Sequence, residues 1–176
     1  YMASLGTNIG YKGLSFNILF DIKQGGRFLS QTKFFTEFNG TALNTIDHNR
    51  EPFIFPNSVI DNGDGTYKTN DIEVTEQDYF TNYDPSAATY MIDASYIKLR
   101  EIGLSYNFPK NWLKKLSVTD ATLSFFGKNM KFWLPSDNIY ADPEINGPGL
   151  TGNATGVETT QTPSARSMGV NLKLTF

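Results

Sequence analysis

Few residues in this 176-residue chain could do covalent chemistry. His48 is the only histidine, cysteine is absent, and nothing near His48 suggests the oriented base of a Ser–His–Asp arrangement. The lack of cysteine also excludes disulfides and thiolate metal sites. We therefore interpret His48 as a water-exposed loop residue and predict that the chain is not an enzyme, although carboxylate chemistry stays open.

Acidic residues offer the next candidate site, for a metal ion. The D-N-G-D-G stretch at 61–65 resembles part of a calcium loop but lacks the regular oxygen ligands and the closing glutamate. We predict a β-turn there instead. A second acidic set is expected to form a solvated loop face: Asp71, Glu73, Glu76, Asp78 and Asp84. No cofactor is expected, and calcium bound at this surface remains an alternative.

Aromatic side chains could bind a ligand without chemistry, because their flat apolar faces stack on sugar rings. The candidates lie in segments predicted to be loops: Tyr79, Phe80, Tyr83, Trp133 and Tyr140. The alternative is that these rings pack on one another or on a partner protein.

Composition narrows the class of protein that would carry such loops. The net charge of −3 and pI of about 5.1 argue against nucleic acid as a partner. No apolar run reaches the roughly 18 residues of a membrane helix, but a membrane β-strand needs only about 9–11 alternating residues. The content of aromatics (14%) and of glycine (15 residues) favours an all-β fold.

Apolar and polar residues alternate in five segments, which predicts five strands at 4–11, 13–23, 95–108, 119–132 and 167–176. Polar and small residues would line an aqueous interior. The opposite faces carry the residues that we predict to face lipid: Leu14, Phe16, Ile18, Phe20, Ile102, Leu104, Tyr106, Val170, Leu172 and Leu174. Ile97 and Leu99 are out of phase, which indicates a β-bulge near Arg100–Glu101, or an upper part that lies beyond the membrane.

Connections between these strands alternate between short and long. A tight turn at Lys12-Gly13 and one helical turn after Pro109 are short, whereas 24–94 and 133–166 are long. Antiparallel outer-membrane barrels have short periplasmic turns and long extracellular loops, as this pattern requires. Five strands cannot close a barrel, so we expect a fragment of a larger one, unless 53–55, 58–60 and 72–74 are further strands.

Aromatic residues cluster near the strand ends, as expected of the two belts at a membrane's interfaces. Tyr11, Tyr106, Phe108, Trp112 and Phe176 fall on the short-turn side, and Phe20, Phe132 and Trp133 on the long-loop side. Phe176 also ends a regularly alternating strand, which is the expected signal for the machinery that assembles barrels.

Several motifs together resemble the SusC/RagA type of TonB-dependent outer-membrane transporter, in the right order and over nearly the whole chain. They are N-R-E-P-F at 49–53, E-Q-D-Y-F at 76–80, D-A-S-Y-I-K-L-R-E-I-G-L-S-Y-N-F-P at 93–109, L-S-F-F-G-K-N-M-K-F-W at 123–133, D-P-E at 142–144 and the final G-V-N-L-K-L-T-F. The stretch between Gly147 and Pro163 matches only loosely, which indicates a loop that varies with the cargo.

The resemblance implies that residues 1–176 are the C-terminal part of a barrel of about 22 strands, without its plug domain. It implies an outer-membrane location, a surface lipoprotein of the SusD type as a lid, and coupling to the TonB complex through an N-terminal part not in this chain. The implied cargo is a glycan oligomer or a peptide. Two other functions stay open: a secreted β-sandwich that binds glycans, and an outer-membrane barrel or adhesin that does not transport.

Overall fold

A computed structural model describes residues 1–83, 87–114, 117–145, 147 and 156–176. Its strands are β1 (Met2–Tyr11), β2 (Leu14–Lys23), β3 (Arg27–Ser30), β4 (Phe53–Ile54), β5 (Val59–Asp61), β6 (Tyr67–Thr69), β7 (Glu73–Val74), β8 (Met91–Asp93), β9 (Tyr96–Asn107), β10 (Asp120–Trp133), β11 (Val157–Glu158) and β12 (Ser167–Thr175). The helices are α1 (Gln31–Phe38), α2 (Glu76–Asp78) and α3 (Lys110–Leu113), with 3₁₀ turns at Leu43–Arg50 and Ala87–Tyr90 and a π turn at Tyr79–Tyr83. Within these residues, no helix is long and apolar enough to cross a bilayer.

The five long strands form one antiparallel sheet in the order β1-β2-β9-β10-β12. All five strands predicted from the alternation are confirmed, and their ends agree to within two residues of the predicted ones. Each neighbouring pair is antiparallel, and β1 and β12 each pair with a single described strand. The sheet is therefore open at both edges.

One face of this sheet is apolar and exposed. Residues opposite each other in an antiparallel pair point to the same face, and the register sets Phe16 against Leu104, Leu104 against Phe125, and Phe125 against Val170. All ten residues predicted to face lipid share this outer face. Leu172 is 58% exposed and Val170 62%. A β-sandwich would cover such a face with a second sheet, and none packs on it in the described residues.

A β-bulge in β9 explains the break in its alternation. Leu19 pairs with Glu101, and the next residue, Phe20, pairs with Leu99, so Arg100 is left over. The extra residue brings Leu99 back to the same face as Ile102. The predicted bulge is confirmed, and β9 therefore keeps a single outer face throughout.

Two aromatic residues of β10, Phe126 and Phe132, point to the inner face. This orientation was not expected for Phe132. Phe126 lies between Gly103 and Gly169 on the two neighbouring strands, and a Cβ on Gly169 would come within 2.5 Å of the Phe126 ring. Phe132 pairs with Lys98, whose ammonium lies 4.3 Å from the centre of its ring. The prediction that Phe132 belongs to an aromatic belt was therefore wrong.

The short connections are as tight as predicted. Lys12 and Gly13 both have positive φ, 48° and 85°, as two-residue hairpin turns of this handedness require. A Cβ on Gly13 would also lie 2.8 Å from the carbonyl oxygen of Asn107, so only glycine fits. At this end of the sheet the Phe108 ring contacts those of Tyr106 and Trp112, and at the other end Phe20 lies beside Trp133.

The two long connections fold into structures of their own. The second one begins after Trp133, which is the last residue of β10, so the predicted bound of 133 was one residue early. Segments 53–55, 58–60 and 72–74 each contain a strand, but together with β6 these strands form two small two-stranded sheets, β4-β7 and β5-β6, and add nothing to the main sheet. A third small sheet, β11-β3-β8, joins the two connections to each other.

The opposite polarity of the two faces can be tested with adjacent residues of β12. Leu172 lies on the outer face and Asn171 on the inner one, and both are exposed. If the outer face meets hydrocarbon, Leu172→Arg should destabilise the full-length barrel in lipid vesicles by about 2–4 kcal/mol. Urea unfolding followed by heat-modifiable gel migration measures this.

Asn171→Arg is the matched control and should change the free energy of unfolding by less than about 1 kcal/mol, because the inner face is polar. Equal effects of the two substitutions would contradict the assignment of the faces.

Candidate functional site

Three polar residues of β9, two of them cationic, lie on the inner face near the long connections. Tyr96, Lys98 and Arg100 follow one another at every second position and therefore share that face. Lys98 is fully buried, and its ammonium donates to Asp142 at 2.7 Å and to Glu144 at 2.5 Å. Arg100 Nη2 and the Tyr96 hydroxyl each donate to Glu144 at 2.6 Å. The S-Y-I-K-L-R motif of β9 thus binds the D-P-E motif of the second connection to the main sheet, which we also call the wall.

A third carboxylate completes this cluster from β2. Arg100 Nε donates to Asp21 at 2.6 Å, and Ser4 of β1 donates to the other oxygen of Asp21 at 2.7 Å. The bulge described above presents Arg100 between Asp21 and Asn129, to which its Nη1 donates at 3.2 Å. We refer to Lys98, Arg100, Asp21, Asp142 and Glu144 as the charge cluster. Because removing one partner of a buried pair leaves an uncompensated charge, its members act as a unit.

Glu144 is ionised throughout the physiological pH range. Burial disfavours its charged form, but the hydrogen bonds from Arg100, Lys98 and Tyr96 outweigh that effect and lower the pKa of Glu144 to about 2. The carboxylate is therefore available as a partner for both cations at neutral pH.

A second carboxylate, Glu158 of β11, fastens the two long connections together. It accepts hydrogen bonds from the Ser30 hydroxyl at 2.8 Å and from the Thr32 hydroxyl at 2.7 Å. Burial opposes its ionisation, but the bonds from Thr32 and Ser30 prevail and lower the pKa of Glu158. Ser30 is also the N-cap of α1, so its side chain both starts this helix and links the two connections through Glu158. We call this link between the connections the seam.

A cavity of about 450 Å³ lies in the first long connection beside α1 and α2. Its walls combine two aromatic rings with charged and polar groups. They include Phe38, Phe80, Glu37, Arg50, Glu76 and Gln77. The Glu37 carboxylate is buried and accepts from Asn44 at 2.8 Å, and Arg50 donates to the Gly40 carbonyl. This lining suits a ligand with both apolar faces and hydroxyl or amide groups.

The five aromatic residues predicted to bind a ligand do not form one site. Phe80 lines the 450 Å³ cavity, and the adjacent Tyr79 stacks on Phe55 at 5.4 Å and lines a separate, more apolar cavity of about 440 Å³. Tyr140 lines a third cavity of about 330 Å³. The Tyr83 side chain lies outside the described part of the chain.

Tyr140 and Trp133 lie in different surroundings, one among the connections and the other at the end of the sheet. The Tyr140 hydroxyl donates to Glu37 at 3.3 Å, and burial together with that carboxylate raises the pKa of Tyr140 to about 12. Trp133 is paired with Ile97 on the outer face and lies beside Phe20. Trp133 therefore lies on the outer face, where a belt residue is expected, and lines none of these three cavities.

Two motifs of the first connection pack on each other. The His48 ring stacks on Phe53 at 4.3 Å, and its Nδ1 lies 2.8 Å from a Glu76 oxygen, which joins 49–53 to 76–80. His48 is half-exposed, but Glu76 is buried, so its assignment to a solvated acidic face was wrong. Asp84 lies outside the described residues.

The stretch 61–65 turns between β5 and β6, as predicted. Asp61 accepts from the Gly63 amide, and Asp64 accepts from both the amide and the hydroxyl of Thr66, so these carboxylates serve the turn itself. In the described part of the chain, no three His, Asp or Glu side chains are gathered as a metal site.

The charge cluster is the main feature that the sequence reasoning missed. A signal was present, because Lys98 and Arg100 interrupt an apolar strand at alternate positions while the D-P-E motif offers two carboxylates. Only the register of β9 and the path of the second connection show that these groups meet.

No protein-family model matches the chain. The TonB-dependent receptor P26 of Formosa agariphila is 29% identical over 171 residues, which is 96% of this chain and 16% of that protein. The RagAB peptide importer in its open-open state superposes with a TM-score of 0.65 at 18% identity, over 99% of this chain and 17% of that one. The RagAB peptide transporter gives 0.61 at 20%, over 98% and 16%.

The resemblance to TonB-dependent receptors is confirmed. The chain spans about a sixth of the length of these relatives. Its all-β fold is therefore a piece of a larger antiparallel barrel, and the outer membrane is its location. The open edges β1 and β12 are where the remaining strands of such a receptor would pair.

Loss of Lys98 should free the D-P-E segment from the wall of the receptor. Lys98→Met leaves the buried Asp142 without a cation and the partly buried Glu144 with Arg100 alone, and an uncompensated buried charge costs about 3–5 kcal/mol. We expect residues 134–166 of the full-length receptor to become much more susceptible to thermolysin, as followed by mass spectrometry of the fragments.

Lys128→Met is the matched control, because Lys128 pairs with Glu101 at 3.8 Å and both are exposed, a contact worth about 0–1 kcal/mol. The same proteolysis pattern for both variants would argue against the charge cluster as the anchor.

Acid should release the same segment within a defined range of pH. The pKa of Glu144 is lowered from 4.5 to about 2, so its stabilising effect is complete above about pH 4.5 and is lost as the pH falls towards 2. A spin label at Ile139→Cys, an exposed position, should become mobile over that range in electron paramagnetic resonance spectra. In Glu144→Gln the label should be mobile already at pH 7, and an unchanged mobility would exclude this role of Glu144.

Proposed function

We propose that this chain forms part of the wall and two extracellular connections of a transporter that imports oligomers across the outer membrane, with energy delivered through TonB. The observation that carries the proposal is the two-faced sheet bearing long, folded connections at one end only. An apolar outer face suits lipid and a polar inner face suits a hydrated interior. The likeness to a TonB-dependent receptor over 96% of the chain supports the coupling.

The segment itself does no covalent chemistry in this proposal. Its barrel strands hold the two connections at the surface, and the charge cluster together with Glu158 keeps them in a fixed position. Fixed connections can hold their cavities open towards the medium without reorganising when a ligand arrives.

Glycan oligomers are the cargo we favour. The 450 Å³ cavity combines Phe80 with two carboxylates, Arg50 and Gln77. An aromatic face can stack on the apolar face of a sugar, while charged and amide groups bond its hydroxyls. Peptides are the second candidate, favoured by the likeness to the RagAB peptide importer.

A surface lipoprotein of the SusD type is the partner we propose for the connections. Large apolar side chains stand exposed on them, including Leu43 (70%) and Ile139 (65%). Exposed apolar groups in a folded surface commonly mark a contact with another protein. The relatives solved as RagAB complexes support such a partner.

Uptake by cells that carry the full-length protein tests the transport proposal. Energised cells should accumulate a labelled glycan oligomer, and accumulation should cease when TonB is deleted or a protonophore is added. Surface binding without TonB-dependent accumulation would support a non-transporting barrel or adhesin. A water-soluble protein absent from the membrane fraction would support the secreted binding module.

The cargo is decided in the same cells with a matched pair of variants. Phe80→Ala should raise the concentration for half-maximal glycan uptake about two- to tenfold, since an aromatic contact contributes about 0.5–1.5 kcal/mol. Tyr67→Ala removes an exposed ring of the β5-β6 hairpin and should have no effect. Accumulation of labelled peptides instead of glycans would show that the cargo is a peptide, and it would still support the transport proposal.

A further inference from the structure

The outer face of the sheet carries one charged residue among its strand positions, all of which the structure describes. Lys131 of β10 pairs with Leu99, which in turn pairs with Phe20, so all three share the outer face. A bulge between Lys128 and Lys131 places it there. No carboxylate among the described residues lies within ion-pair distance of Lys131. Its charge on this face requires an explanation, because charged groups on the lipid face destabilise a barrel.

Lys131 lies near the end of the apolar face that carries the long connections. Its ammonium is 6.0 Å from the centre of the Trp133 ring, which holds the position expected of an aromatic belt. At this depth the ammonium can reach the level of lipid headgroups while its alkyl stem stays in the apolar layer. Since the long connections mark the extracellular side, these headgroups belong to the outer leaflet.

A shallow apolar cavity of about 540 Å³ lies on the same face, in line with Lys131 along β10. Gly127 forms its floor, where a Cβ would lie 3.2 Å from the Ile102 side chain of β9. Ile102, Phe125, Met130 and Met168 form its walls. Met130 lies across Gly127, since a Cβ there would be 2.7 Å from the Met130 sulfur. The lining is almost entirely apolar and has the character of a site for a hydrocarbon chain.

We propose that this part of the outer face binds an anionic, phosphate-bearing lipid of the outer leaflet, with the phosphate at Lys131 and an acyl chain in the apolar cavity beside Met130 and Met168. A cation unpaired by protein and an apolar cavity beside it match the two parts of such a lipid. A free phosphate would use only the first, and a neutral lipid only the second. The proposal rests on the outer-membrane barrel of the proposed function but not on its cargo or its energy source.

Purified full-length receptor in phosphatidylcholine nanodiscs containing a small fraction of bis-phosphorylated lipid A provides the test. Native mass spectrometry should show that the receptor retains lipid A, and Lys131→Gln should weaken retention about fivefold, the effect of one basic residue at a charged membrane surface. Lys128→Gln, which changes an inner-face lysine, should retain lipid A like the unsubstituted receptor.

Met168→Trp is a second variant, because Met168 is 75% exposed and a larger side chain can occupy the cavity without a clash in the sheet. It should weaken retention of lipid A while leaving the fold intact. Equal retention of dephosphorylated lipid A, full competition by inorganic phosphate, or no effect of Lys131→Gln would each overturn the proposal. Failure of glycan or peptide uptake in cells would leave this binding unaffected, so the two proposals fail separately.

Discussion

Backbone amide and carbonyl groups cannot stay unpaired in hydrocarbon, and this constraint governs the whole sheet. It forces each strand to bond with neighbours on both sides, so the open edges at β1 and β12 require further strands of a larger barrel. It also confines irregular backbone to the ends, where the tight turn at Lys12-Gly13 and the long connections lie. With the backbone satisfied within the sheet, side chains alone distinguish the faces. Period-2 alternation then places apolar groups outward and polar groups inward.

The inner face uses this freedom to bury charge that the outer face could not hold. Lys98 and Arg100 are compensated by three carboxylates, one from a strand and two from the second long connection. The bulge is part of the same solution, because it keeps Leu99 on the apolar face while presenting Arg100 to Asp21 and Glu144. The bulge interrupts the regular hydrogen-bond ladder. It thereby lets one strand present apolar residues to the outer face and charged residues to the inner face.

Alternation let the five strands, the bulge and the short turns be predicted from the sequence, because a strand's two faces depend on residues adjacent along the chain. The same reasoning misplaced Phe132 and Glu76, whose surroundings come from distant segments. Phe132 faces inward because Lys98 lies opposite it, and Glu76 is buried because His48 packs on it from another motif. The charge cluster depends on contacts more than 40 residues apart, beyond the reach of local patterns. Periodicity thus predicts the strands of the sheet, whereas the charge cluster becomes visible only when the connections are folded.

The β5-β6 hairpin differs from the rest of the surface in how little depends on it. Its turn is closed by its own Asp61 and Asp64 side chains, and Gly63 and Gly65 supply the positive φ angles that the turn needs. None of these groups reaches the charge cluster or the seam at Glu158. The tip is exposed throughout, and the proposed function places it at the cell surface. Sequence change there can alter recognition from outside, and a foreign epitope inserted at the tip would be displayed on an unaltered wall.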